Sequence, residues 1–204
     1  MRGHDVVRLV RHRDVAIAYG ATVVLTTVIA FSHSAAEARQ AVLDSSTNLA
    51  NLRAQPLRVL VASAFLLASP WSLWVIPAVL WAYGALQRWL GRLATVVVAV
   101  VGHVFATVFV AVMVAAGIAQ HQLDRRVSNE PDVGVSYGLA AVVGVLVFRL
   151  PPKQRHVIAT LGTVALVGVL VLSQTFTDLG HLVAWLLGLA MGFVGARTAD
   201  AAAR

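Results

Sequence analysis

Charged residues along the chain fall in short clusters, and between them lie long uncharged runs. A helix needs roughly 20 mainly apolar residues to cross the hydrocarbon core of a bilayer. Six runs approach that length, at about 15–31, 71–86, 93–120, 136–150, 154–172 and 179–194. A shorter apolar stretch, 57–69, is cut off by Ser69 and Pro70 and reads as an interfacial or re-entrant helix. The pattern therefore predicts an all-α, polytopic membrane protein with six transmembrane helices. It forms a single membrane domain over 1–204, with a basic N-terminus at 1–14, a core at 57–197 and a short tail at 198–204.

Composition agrees with that reading. Of 204 residues, 59% are hydrophobic and only 12% charged, with a mean hydropathy of +0.80, which places the chain outside the range of soluble domains. There is no cysteine, so neither a disulfide framework nor a thiolate metal site exists. The net charge of +7 does not imply nucleic acid, because the basic residues sit between apolar runs and form no contiguous basic face. It reads as a topology signal instead. With the N-terminus in the cytoplasm, the inner segments hold Arg2, Arg8, Arg11, Arg13, Arg88, Arg92, Arg149, Lys153, Arg155, Arg197 and Arg204, opposed only by Asp5, Asp14 and Asp200. The outer segments hold five arginines against six acids. The positive-inside rule thus predicts both termini in the cytoplasm, and the composition fits a bacterial cytoplasmic membrane protein. The first run also has the basic start and trailing small residues Ser34, Ala35 and Ala36 of a signal peptide, but it is long for one, so it is read as an uncleaved span.

Polar groups inside a bilayer are costly and need a reason. Two stand out. Ser136 follows Asp132, Val133, Gly134 and Val135 at the outer start of the fourth span, and His181 follows Asp178 at the outer start of the sixth. If each aspartate marks a helix entry, the two lie about 6 and 4.5 Å deep in the same leaflet. Small residues follow both, Gly138, Ala141 and Gly144 on one helix and Ala184, Gly188 and Gly192 on the other, a spacing that lets transmembrane backbones approach closely. A serine needs a base to attack at neutral pH, and an imidazole can take its proton and return it to a leaving amine. Gly134 would leave room for a substrate carbonyl beside the unpaired amides of the helix start. The plainer readings are an N-cap for Ser136, a cap for Asp178 and an interhelical hydrogen bond for the histidine. His103 and Thr107 share a face of the third span near mid-bilayer, and there an interhelical hydrogen bond is the preferred role.

These segments resemble the rhomboid superfamily. Gly134-Val135-Ser136-Tyr137-Gly138 is similar to its Gly-x-Ser-Gly nucleophile motif, with Tyr137 in place of glycine. The run from His181 to Gly192 resembles the His-x-x-Gly-x-x-x-Gly helix, with Ala184 for the first glycine and Gly188 matching the second. Gly84 to Gly91 resembles the turn after the second span, with Gln87 for the usual glutamate. The resemblance implies a six-helix rhomboid fold with Ser136 as nucleophile and His181 as base. It also marks departures. The His-x-x-x-Asn pair of oxyanion donors on the second span falls on Trp71 and Val75, leaving Ser72 and the Ser136 amide as replacement donors. Ala140 stands where many members have a tyrosine that packs on the catalytic histidine. Losing one oxyanion donor costs about 2.7 to 4 kcal/mol.

The expected function is therefore peptide-bond hydrolysis in or beside transmembrane helices by a Ser-His dyad. The alternative is a pseudoprotease that binds such helices without cutting them. The expected partners are a transmembrane protein substrate or client and the lipid bilayer. No metal or cofactor is implied, and a transporter is disfavoured by the lack of charged residues within the spans.

Overall fold

The computed structural model describes residues 13–202, with side chains described to Thr198. Arg2, Asp5, Arg8, Arg11 and Arg204, used in the topology reading, lie outside the described residues, as does the side chain of Asp200. The described chain is helical without strands. Helix α1 is Asp14–Phe31, and α2, Ala35–Ser45, opens with a capping box in which Ser34 and Glu37 satisfy one another's backbone amides. Asn48 caps the short α3, Leu49–Ala54, and Pro56 opens α4, Pro56–Ser63. A 3₁₀ turn, Pro70–Val75, leads into α5, Ile76–Ala119. After it come α6, Val135–Leu146, then α7, Pro152–Ser173, and α8, Phe176–Ala202. Gln174, left-handed at φ 54°, ends α7 and lets the chain reverse into α8 within two residues.

Length and composition alone single out four spans rather than the six expected: Asp14–Phe31, Pro70–Ala119, Pro152–Ser173 and Phe176–Thr198. The difference has two physical sources. Pro70–Ala119 holds 50 residues, about 75 Å if wholly α-helical, more than twice the ~30 Å hydrocarbon core. It breaks at Gly91, whose φ of 88° and ψ of 175° are open in practice only to glycine. The fourth expected span, α6 with its 3₁₀ extension to Arg149, is apolar but falls short of the roughly 20 residues typical of a crossing helix.

That short helix is the hub of the core. It packs against α8 and against both parts of α5. A Cβ on Gly138 would lie 2.8 Å from the Tyr83 hydroxyl and 3.3 Å from the Ala99 carbonyl, on opposite sides of the Gly91 break. On the other face, a Cβ on Gly144 would lie 2.7 Å from the Trp185 carbonyl, and one on Gly188 would lie 2.2 Å from the Ala141 carbonyl. These contacts are backbone-close, as expected where apolar burial cannot drive helix association and packing must. By contrast α7 has no buried residue and is tied to α8 by the Trp185 indole, which donates to Thr163 Oγ1 at 3.0 Å.

The expected interfacial stretch after Leu57 forms α4 and a turn folded into the bundle. Tyr19 donates its hydroxyl to the Ala64 carbonyl at 2.7 Å, Thr26 donates to the Phe65 carbonyl, and the Leu67 amide donates to Thr27 Oγ1 at 3.2 Å. Leu66 and Leu67 are buried.

Candidate active site

Helix α6 begins at Val135 with Gly134 at its cap position and no side-chain cap. Ser136 is therefore not the N-cap. Its hydroxyl is turned across to α8, where Oγ lies 2.7 Å from His181 Nε2. The other ring nitrogen, Nδ1, lies 3.6 Å from Asp178 Oδ1 on the same helix. Both residues of the pair are part-buried, and the His181 side chain retains 24% of its exposure.

Asp178 is fixed in its turn. Its carboxylate accepts hydrogen bonds from Ser173 Oγ and Thr175 Oγ1, and its own amide donates to Thr175 Oγ1 at 3.1 Å. Thr175 is thus the capping residue of α8, its hydroxyl bonded to both the amide and the carboxylate of Asp178 three positions on. Because Asp178 is anchored as an acceptor facing Nδ1, the ring can carry its proton there and leave Nε2 free to accept from Ser136. A hydroxyl held on such a nitrogen can lose its proton as it attacks a carbonyl.

The ring of Tyr137 lies edge-on to His181, with centroids 5.3 Å apart at 73°. Tyr137 is fully buried and donates its hydroxyl to Asp132 Oδ1 at 2.8 Å. A tyrosine thus stands beside the imidazole from one residue after the serine, whereas the rhomboid resemblance implies that place for position 140, four residues on, which holds Ala140. No spacing argument exposes this, because residues one and four positions on lie on different faces of a helix.

The remaining expected site residues are placed as follows. Ala184 is fully buried and Gly188 seats against Ala141, so both carry the close approach of α6 and α8. Gly138 serves the contact of α6 with α5 instead. Gly134 abuts His103: a Cβ there would lie 1.9 Å from His103 Cε1, and the Gly134 amide donates to the Ser63 carbonyl at 3.0 Å. Ser72 lies half-buried in the 3₁₀ turn, and among the described residues it makes no side-chain hydrogen bond to Ser136 or His181. Trp71 is 87% exposed, and Val75 packs on the core. His103 makes the interhelical contact expected of it, with Nε2 at 2.9 Å from the Leu60 carbonyl and 3.3 Å from Ser63 Oγ, while Thr107 Oγ1 is buried without a hydrogen-bond partner among the described residues. An apolar cavity of about 470 Å³ lies between α1, α4 and α5, lined by Tyr19, Phe65, Val100, His103 and Gly134 among others; neither Ser136 nor His181 lines it. No cluster of metal-ligating side chains occurs among the described residues.

A family model described as rhomboid-like protein matches residues 8–199. The chain belongs to the rhomboid-like protein family. No curated protein and no solved structure matches it. As a rhomboid-like protein with several long apolar helices it is a multi-pass membrane protein whose surface meets lipid. Exposed Val157, Leu161, Val164 and Leu172 on α7 supply part of that apolar surface. Gln87 Nε2 donates to Asp14 Oδ1 at 2.6 Å, and Arg92 pairs with the same carboxylate at 2.7 Å.

Proposed function

We propose that this rhomboid-like protein is an intramembrane serine protease that hydrolyses peptide bonds at the extended outer end of another protein's transmembrane helix. The observation that carries the reading is the 2.7 Å approach of Ser136 Oγ to His181 Nε2, from separate helices, at a part-buried position. In this reading Ser136 attacks the carbonyl carbon while its proton passes to His181. His181 returns that proton to the departing amine, and water, activated by the same ring, releases the acyl group from Ser136. The amides of Val135 and Ser136 lie in the first turn of α6, where no intrahelical acceptor exists, and they are the candidate oxyanion donors. The topology that goes with it counts six crossings, with the 50-residue stretch divided at Gly91 and α6 counted as one, and both termini in the cytoplasm.

A second reading, a pseudoprotease that holds transmembrane helices without cutting them, is favoured by one observation. The positions that supply side-chain oxyanion donors in rhomboid proteases hold Trp71, turned outward, and Val75, which has no donor. Labelling of the purified protein with a fluorophosphonate separates the two. The protease reading expects wild type to be labelled and Ser136→Ala and His181→Ala not to be. Equal labelling of wild type and Ser136→Ala would end the nucleophile assignment. Retention of a deletion-sensitive phenotype in both alanine variants would favour the helix-binding role.

A further inference from the structure

Asp132 precedes α6 by three residues, and its bonds run in three directions. Its amide donates to Ser46 Oγ at 2.6 Å, and its carbonyl accepts from the Thr47 amide at 2.8 Å. These bonds tie it to the connection between α2 and α3, where Ser46 and Thr47 are buried. Its carboxylate accepts from Thr47 Oγ1 at 3.2 Å through Oδ2. Through Oδ1 it accepts from Tyr137 Oη at 2.8 Å and Thr177 Oγ1 at 3.3 Å. Tyr137 in turn fills the space against the first turn of α8: a Cβ on Gly180 would lie 2.4 Å from Tyr137 Cζ, and the ring edge meets His181.

A loop staple would need only the two backbone bonds to Ser46 and Thr47. The carboxylate does something more: it fixes the hydroxyl of the one aromatic ring among the described residues that packs on His181. We infer that Asp132 is a positioning residue for the Ser136–His181 pair, acting through Tyr137 to hold the imidazole and coupling that hold to the connection at Ser46 and Thr47. The inference rests on the proteolytic reading for its effect on rate, but its structural claim about His181 can be tested without turnover.

Tyr137→Phe keeps the ring and removes only the hydroxyl that Asp132 holds, while Asp132→Ala removes the carboxylate and Asp132→Asn keeps one oxygen for the phenol. Cleavage of a transmembrane substrate in proteoliposomes is expected to slow about tenfold in Tyr137→Phe and Asp132→Ala, the scale of one hydrogen bond to a charged group, with KM unchanged. Asp132→Asn recovers part of the rate, and the Tyr137→Phe/Asp132→Ala double variant is no slower than the slower single, because both act through one contact. Should Asp132→Ala not fold, Tyr137→Phe and Asp132→Asn carry the comparison. In parallel, NMR of histidine-labelled protein in a Ser136→Ala background, with His181 assigned through His181→Gln, is expected to show its ring signals displaced in Tyr137→Phe and Asp132→Asn. Undisplaced His181 signals, or additive losses of rate, overturn the inference. A wild type that neither cuts nor labels would overturn the protease reading instead, and the NMR comparison would still decide the role of Asp132.

Discussion

Gly188 on α8 and Ala141 on α6 meet so closely that a Cβ added to the glycine would lie 2.2 Å from the Ala141 carbonyl oxygen. The obstacle is backbone, which cannot rotate aside as a side chain can. Gly188→Ala must therefore push α8 away from α6, and these are the helices that carry His181 and Ser136. A loss of about 1–3 kcal/mol in stability is expected, the usual cost of overpacking, together with slower fluorophosphonate labelling as the pair separates. Gly168→Ala on α7 provides the control. No atom lies within 4 Å of a Cβ built there, so that variant should be neutral or slightly stabilising. Thermal unfolding in detergent compares the two, and equal stability would show that the α6–α8 contact yields freely.

Gly134 presents a similar test with a different obstacle. Its added Cβ would strike the His103 ring at 1.9 Å, and that ring is held at Nε2 by the Leu60 carbonyl. Gly134→Ala should destabilise by about 1–3 kcal/mol, and much of that loss should vanish when His103→Ala is combined with it, because the double variant makes room. A coupling of about 0.5–3 kcal/mol between the two is expected from unfolding curves. If Gly134 instead matters by leaving space for a substrate carbonyl, Gly134→Ala lowers the cleavage rate at unchanged stability and His103→Ala does not rescue it.

The contrast between Gly134 and Ser136 shows what is legible in such a chain. The long apolar helices, and the placing of Ser136 and His181 near the same end of the bundle, follow from run lengths and from the aspartates that precede each residue, whereas the division into six spans does not. Helix rotation does not, because in lipid both the buried and the outward faces are apolar. Val142 on α6 is fully buried while Leu161 on α7 is largely exposed, and nothing in their sequence neighbourhoods distinguishes them. Contacts that depend on rotation were therefore hidden: Gly134 against His103, Tyr137 against His181, and Asp132 against Thr47, 85 positions away. The break at Gly91 was more accessible, since a glycine between Arg88 and Arg92 punctuates two apolar runs.

At the far end of the bundle the pairing of Gln87 with Asp14 carries the final prediction. Gln87 is 6% exposed, donates to Asp14 Oδ1 at 2.6 Å and accepts from the Val15 amide at 3.1 Å, so it joins the start of α1 to the end of the first part of α5. Gln87→Ala should lower stability measurably, since it strips a part-buried bond to a charged acceptor and the bond from the Val15 amide. Arg92→Ala should cost less, because the Arg92–Asp14 pair lies on the solvent side, with side-chain exposures of 58% and 42%. Gln87→Glu is the sharper test. An acid at this position would set two carboxylates against each other where a donor and an acceptor now meet. The variant should be less stable than wild type at neutral pH and should regain stability on acidification, when one of the two acids takes up a proton. Adding Asp14→Asn should restore stability at neutral pH, since the amide then sits on α1 and the acid on α5. Wild-type stability of Gln87→Glu at neutral pH would show that the Gln87–Asp14 bond does not hold α1 to α5.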